Sequence, residues 1–167
     1  MEISRDQLRV FTVVVGGLVL ASYVWGVSRL SQPSDLWGGV TGNLQRFSVI
    51  FMFVAAIGYL IYWWIALFQM ESGDVANLRW PWGESDNKGT NRLLLSFAIF
   101  LIPSALWIES TGLHLRNPSD FTPFLVVGTL LLAGIGNVML GLLAFSAYQD
   151  DIPRASWLLF GAFALSI

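Results

Sequence analysis

The chain has 167 residues, of which 55% are hydrophobic and 12% charged, with a mean hydropathy of +0.64, whereas soluble domains carry about 25% charged residues. A water-soluble globule does not fit that balance, and nine Lys and Arg against eleven Asp and Glu leave no basic excess to collect nucleic-acid phosphates. With no cysteine, disulfides, iron–sulfur clusters and thiolate metal sites are excluded.

An uncharged run of about 20 residues can cross a bilayer. Residues 10–28, 47–70, 93–108, 121–149 and 155–167 contain no Asp, Glu, Lys or Arg and occupy 101 of the 167 positions. The pattern predicts an all-α integral membrane protein, one polytopic domain over 1–167, with four full spans and a short fifth apolar helix at its C-terminal end.

The head MEISRDQLR mixes Glu2 and Asp6 with Arg5 and Arg9, and the first apolar run of 19 residues exceeds the 7–15 of a signal-peptide core. It reads as a retained first span, 8–27, with Tyr23 and Trp25 at its far end, where amphipathic rings favour the membrane boundary. Residues 28–44 are dense in Ser, Pro, Gly and Asn and predict a loop. The second span, 45–69, is longer than the hydrocarbon is thick, which implies tilt or an emergent end.

Residues 70–92 hold seven charges in 23 positions and three glycines with Pro81, the main water-exposed segment. The third span, 93–113, contains Pro103, which removes a backbone donor. A turn over 114–121 leads to the fourth span, 122–148, with Pro123 in its first turn.

The stretch 155–167 reaches only ~20 Å at ~1.5 Å per residue, short of a crossing, and would leave its last carbonyls bare in hydrocarbon. The expectation is that the natural chain continues past Ile167, with a re-entrant or interfacial helix as the alternative. Six Lys and Arg fall on the side of the N-terminal tail, loop 70–92 and Arg154, against Arg29, Arg46 and Arg116 on the other. This predicts a cytoplasmic N-terminus.

Glu109 is the only carboxylate inside an apolar span. On the third helix it shares a face with Ala98, Ala105 and Gly112, which predicts that it points inward, as a proton, cation or ligand counter-charge site. The competing reading takes it to the helix end, paired with His114 or Arg116. His114, the only histidine, cannot form an ordinary zinc site alone.

Asn137 lies mid-way along the fourth span with Ala133, Gly141 and Ala144 on its face, either as interhelical glue or as a polar pathway lining. Tyr62 centres a stripe of Ser48, Ala55, Gly58, Ala66 and Gln69 on the second span. In the first span Gly17 and Ala21 suggest a seam. Tyr59, Tyr62, Trp63 and Trp64 form a ring cluster that can serve packing or stack a pigment, quinone or sterol. Trp80 and Trp82 flank Pro81 in a segment fit either for partner contact or for the headgroup layer.

No metal, nucleotide or catalytic-serine motif occurs, so the cofactor stays open. The leading expectation is a non-catalytic accessory, assembly or scaffold component of a larger membrane complex, touching lipid and either other membrane subunits or its own copies. The alternative is a small transporter, channel or ligand-binding sensor with a polar pocket around Glu109, Asn137 and Tyr62. An enzyme would have to rely on Glu109 with His114.

Overall fold

A computed structural model describes residues 3–30 and 32–167. Glu2, one of the tail acids, and Ser31, in the predicted loop 28–44, lie outside the described residues. The chain is all-helical, with 79% of it in helix and no strand among the described residues.

Helix α1 spans Arg5–Ser28. A capping box starts it: the Ser4 hydroxyl accepts the Gln7 amide and the Gln7 side chain accepts the Ser4 amide, at 3.2 and 2.9 Å. The predicted loop 28–44 holds one 3₁₀ turn, Pro33–Trp37. Helix α2, Gly42–Trp64, runs straight into a π-helical turn, Ile65–Gln69. The short α3, Ser72–Ala76, lies within the charged segment, and α4 (Gly89–Arg116), α5 (Thr122–Gln149) and α6 (Ala155–Leu165) follow.

Four helices, Arg5–Ser28, Gly42–Gln69, Gly89–Arg116 and Thr122–Gln149, are long and apolar enough to cross a membrane. Their 24 to 28 residues correspond to about 36–42 Å, more than the ~30 Å hydrocarbon. Helix α4 starts four residues before the predicted span because its first turn is pinned from outside. The Asp86 carboxylate accepts the Lys88 amide at 3.1 Å and pairs with Arg92 at 2.7 Å, while Arg92 also donates to the Leu78 carbonyl.

The helices neighbour one another in the order α1, α4, α5, α6, α2. Helix α4 is the hub, with 39% of its apolar window buried against 11–17% in the other three. Tyr62, Phe97, Leu140, Leu143 and Leu158 form the centre of the core, all fully buried. The outer faces carry exposed Val, Leu, Ile and Phe side chains, the surface that a lipid environment requires.

Close helix contacts run through glycines other than several the sequence suggested. A Cβ at Gly58 would run into the Leu165 amide nitrogen and lie 2.7 Å from the Ala164 carbonyl carbon; one at Gly161 would lie 2.8 Å from the Tyr62 nitrogen. These two glycines let α2 and α6 touch backbone to backbone. Gly136 does the same for α5 on Ile99 and Phe100 of α4, beside the Ile99 carbonyl that Pro103 leaves without its helical donor. Gly141 and Gly17 face open space and Ala21 is exposed, so the seams expected there are replaced by those at Gly136 and at Gly26, which backs onto Ile108.

Three of the last four carbonyls of α6 find donors. The Ser166 amide donates to Phe163 and Ala162 at 3.0 and 3.2 Å, and its hydroxyl also donates to Ala162. Asn137 donates from α5 to the Leu165 carbonyl at 3.2 Å.

Candidate functional site

Because α1 and α2 have different main neighbours, α4 and α6, they do not pack along their length and a groove of about 670 Å³ opens between them. Val13, Gly16 and Leu20 of α1 form one wall, and Met52, Ala55 and Leu60 of α2 the other. The back is closed by Phe100, Leu101 and Ser104 of α4 and by Leu165. Val13, Leu20, Met52 and Leu60 are exposed at its lips, so the groove opens sideways.

Its two ends carry paired polar groups. At the end near the chain's start, the Trp63 indole donates to the Thr12 hydroxyl at 2.9 Å, and that hydroxyl donates on to the Arg9 carbonyl. At the other end the Trp107 indole donates to the Tyr23 hydroxyl at 2.8 Å, with the rings edge to face. Between them lies Tyr59, braced against Phe97 and Phe100. Its hydroxyl sits 3.8 Å from where a Gly16 Cβ would be. The Tyr59 hydroxyl makes no hydrogen bond among the described residues, whereas Tyr62, one turn on, is buried and donates to Leu140 at 3.0 Å.

Above the Thr12–Trp63 pair, arginines gather on the π-helical turn. Arg5 donates to the Ala66 carbonyl at 3.2 Å; Arg9 donates through Nε and Nη2 to Leu67 at 2.9 and 2.6 Å. Arg154 reaches the Gln69 carbonyl from the start of α6. These carbonyls form the negative end of a helix, the place where cations are favoured. Arg9 also lies 4.9 Å over the Phe68 ring.

Among the described residues Glu109 is not brought together with Asn137 and Tyr62, which were expected to share a polar pocket with it. Glu109 is exposed rather than inward: the buried face of α4 runs through Phe97, Leu101, Ser104 and Ile108, and the next residue turns away from it. Its carboxylate pairs with Arg116 at 2.8 Å, both side chains well exposed. Tyr62 and Asn137 do meet the same stretch of α5 and α6, but as braces on the carbonyls of Leu140 and Leu165. His114 is half-buried, its Nδ1 2.7 Å from the Thr122 hydroxyl at the α4–α5 joint.

Trp80 and Trp82 stack on each other, ring planes 13° apart, and Trp82 is 75% exposed. Their segment is held rigidly. Arg79 grips Asp150 at the end of α5 through both carboxylate oxygens, at 2.7 and 2.8 Å, and donates to the carbonyls of Trp80, Pro81 and Gly83. The Arg79 guanidinium holds the Asp150 carboxyl below its usual value, mainly through that hydrogen bonding. Of the ring cluster seen in the sequence, Tyr59 and Trp63 line the groove, Tyr62 enters the core, and Trp64 is half-exposed and stacked on Phe68.

Sequence reasoning did not single out Arg5, Arg9 or Gly16. The only available signal was their spacing: Arg5, Arg9, Thr12 and Gly16 recur at three or four residues, one face of a helix. No group of His, Asp and Glu suited to a metal ion occurs among the described residues. No family model, curated protein or solved structure matches the chain.

Proposed function

We propose that this is a non-catalytic membrane protein that retains a membrane-soluble ligand in the groove between α1 and α2. The observation that carries this is the groove itself: about 670 Å³, walled by Gly16 and its neighbours on α1, backed by Phe100 and Leu101, open sideways, and presenting a Tyr59 hydroxyl with no hydrogen bond among the described residues. Ligand sites are mostly apolar concavities with a few placed polar groups, and a sideways opening suits a ligand that arrives through the bilayer.

The test is mild-detergent purification from the native membrane followed by extraction and mass spectrometry. Gly16→Leu fills the groove without meeting backbone, since only the Tyr59 hydroxyl is within 4 Å. The expected result is loss of the retained molecule with an unchanged helical content. Equal retention by the variant would overturn the reading.

A second reading, the accessory or scaffold subunit, is favoured by Trp82. An indole that is 75% exposed and held on a stapled loop fits an interface anchor. Trp82→Ala should then release a co-purifying subunit and leave the groove's ligand in place. In both readings the end of the bundle bearing the N-terminus faces the cytoplasm, following the six-to-three division of Lys and Arg. Since the chain has no cysteine, Ser4→Cys supplies a single reporter: impermeant thiol reagents should label it in inside-out vesicles and not in intact cells.

A further inference from the structure

We infer that the end of the groove under Arg5 and Arg9 binds the phosphate headgroup of an anionic phospholipid, one acyl chain of which lies between α1 and α2. The inference rests on the ligand-binding reading above and names the ligand's class.

Three guanidiniums, from Arg5, Arg9 and Arg154, converge on the carbonyls of Ala66, Leu67 and Gln69, within about one helical turn. The single carboxylate that pairs with any of them among the described residues is Asp6, on Arg9. Among the described residues, three guanidiniums with one paired carboxylate leave an excess of two positive charges. Helix capping uses few of the donors available, because a guanidinium carries five N–H groups. Among the described residues Arg5 makes one hydrogen bond, and its buried Nε has no acceptor. The Arg9 side chain remains 33% exposed beside it. Spare guanidinium donors match phosphate oxygens in geometry as well as charge.

The position selects a lipid over a soluble anion. Arg9 and Thr12 are three residues apart, about 4.5 Å along the helix, and Thr12 already lines the groove. A molecule that carries a phosphate directly above a long apolar chain fills both places at once. The cations also lie on the Lys- and Arg-rich end, where anionic lipid gathers in a cytoplasmic leaflet.

The experiment uses the full chain reconstituted in vesicles of equal phosphatidylglycerol and phosphatidylcholine, re-extracted gently, with the retained lipids quantified by mass spectrometry. The wild type should retain phosphatidylglycerol in excess. Arg5→Gln should cut that excess about fivefold, the equivalent of about 1 kcal/mol for one interfacial charge, and Arg5→Lys should restore most of it. Equal retention of both lipids by the wild type, or an unchanged excess in Arg5→Gln and in Arg154→Gln, would overturn the headgroup assignment and leave the arginines as helix caps. Displacement of phosphatidylglycerol by millimolar inorganic phosphate would overturn the choice of a lipid. Gly16→Leu separates the two claims: if it abolishes retention of both lipids while Arg5→Gln changes nothing, the groove stands and the headgroup site falls. If Arg5→Gln acts and Gly16→Leu does not, the headgroup site stands and the groove reading falls.

Discussion

At Glu109 the chain places a carboxylate between two buried residues, Ile108 and Ser110, and still turns it outward to Arg116. An exposed ion pair of this kind contributes about 0–1 kcal/mol, so Glu109→Gln should shift the thermal unfolding midpoint in detergent by no more than a degree or two. A larger loss would mean that the carboxylate has a partner in its native surroundings. Asn137 is the opposite case. Its half-buried amide meets the Leu165 carbonyl between α5 and α6, and interhelical hydrogen bonds in membrane proteins are worth about 0.6–2 kcal/mol. Asn137→Ala should cost about that much, read by the same unfolding measurement. The sequence offered both arrangements, Glu109 paired with Arg116 near the helix end and Asn137 as a bond between helices, beside inward functional alternatives; choosing between them depends on a rotation of about 100° per residue around helices whose buried faces only the neighbours define.

At the scale of elements, the spans were readable from charge spacing alone, because a run without charges long enough to cross a bilayer has few alternatives. The helix ends were less so. The start of α4 depends on Asp86, which reaches the Lys88 amide and Arg92, and the segment after Leu78 is set by a contact 71 residues away, Arg79 to Asp150. That contact is pH-sensitive with a definite sign. The Asp150 carboxyl lies below its ordinary 3.8, so its stabilising contribution is complete above about pH 4–5 and is lost as the pH falls through the lowered value. Between pH 7 and 3, protease access to residues 79–84 and the fluorescence of Trp80 and Trp82 should change. Asp150→Asn should show the acid behaviour at neutral pH.

At the scale of the whole molecule, the all-helical character and the number of long helices followed from hydropathy, but the neighbour order α1, α4, α5, α6, α2 did not. Nothing in the local pattern of α2 says that its partner is α6, a helix of 11 residues that looked incomplete in isolation. The pairing rests on Gly58 and Gly161, whose loss as glycine should be felt: Gly58→Leu forces side-chain atoms into the Ala164–Leu165 backbone and should cost about 1–3 kcal/mol by overpacking. The same substitution at Gly17, which faces open space, should be close to neutral. Comparing the two unfolding midpoints tests the neighbour order directly.

That order has a consequence for how the chain comes into being. A ribosome delivers α1 and α2 first, yet neither has its main neighbour until much later: α1 waits for α4 and α2 for α6, roughly a hundred residues on. On insertion into a bilayer the first two helices would meet only at one end, through Trp63 on Thr12 and the arginines on the π-helical turn, and the sequential pairs with long packed interfaces are α4 with α5 and α5 with α6. Assembly would close from the late half of the chain onto the early half, and a nascent chain halted at Arg154 would hold α2 in lipid with one flank uncovered, recognisable to membrane quality control by protease sensitivity that disappears once α6 has been made.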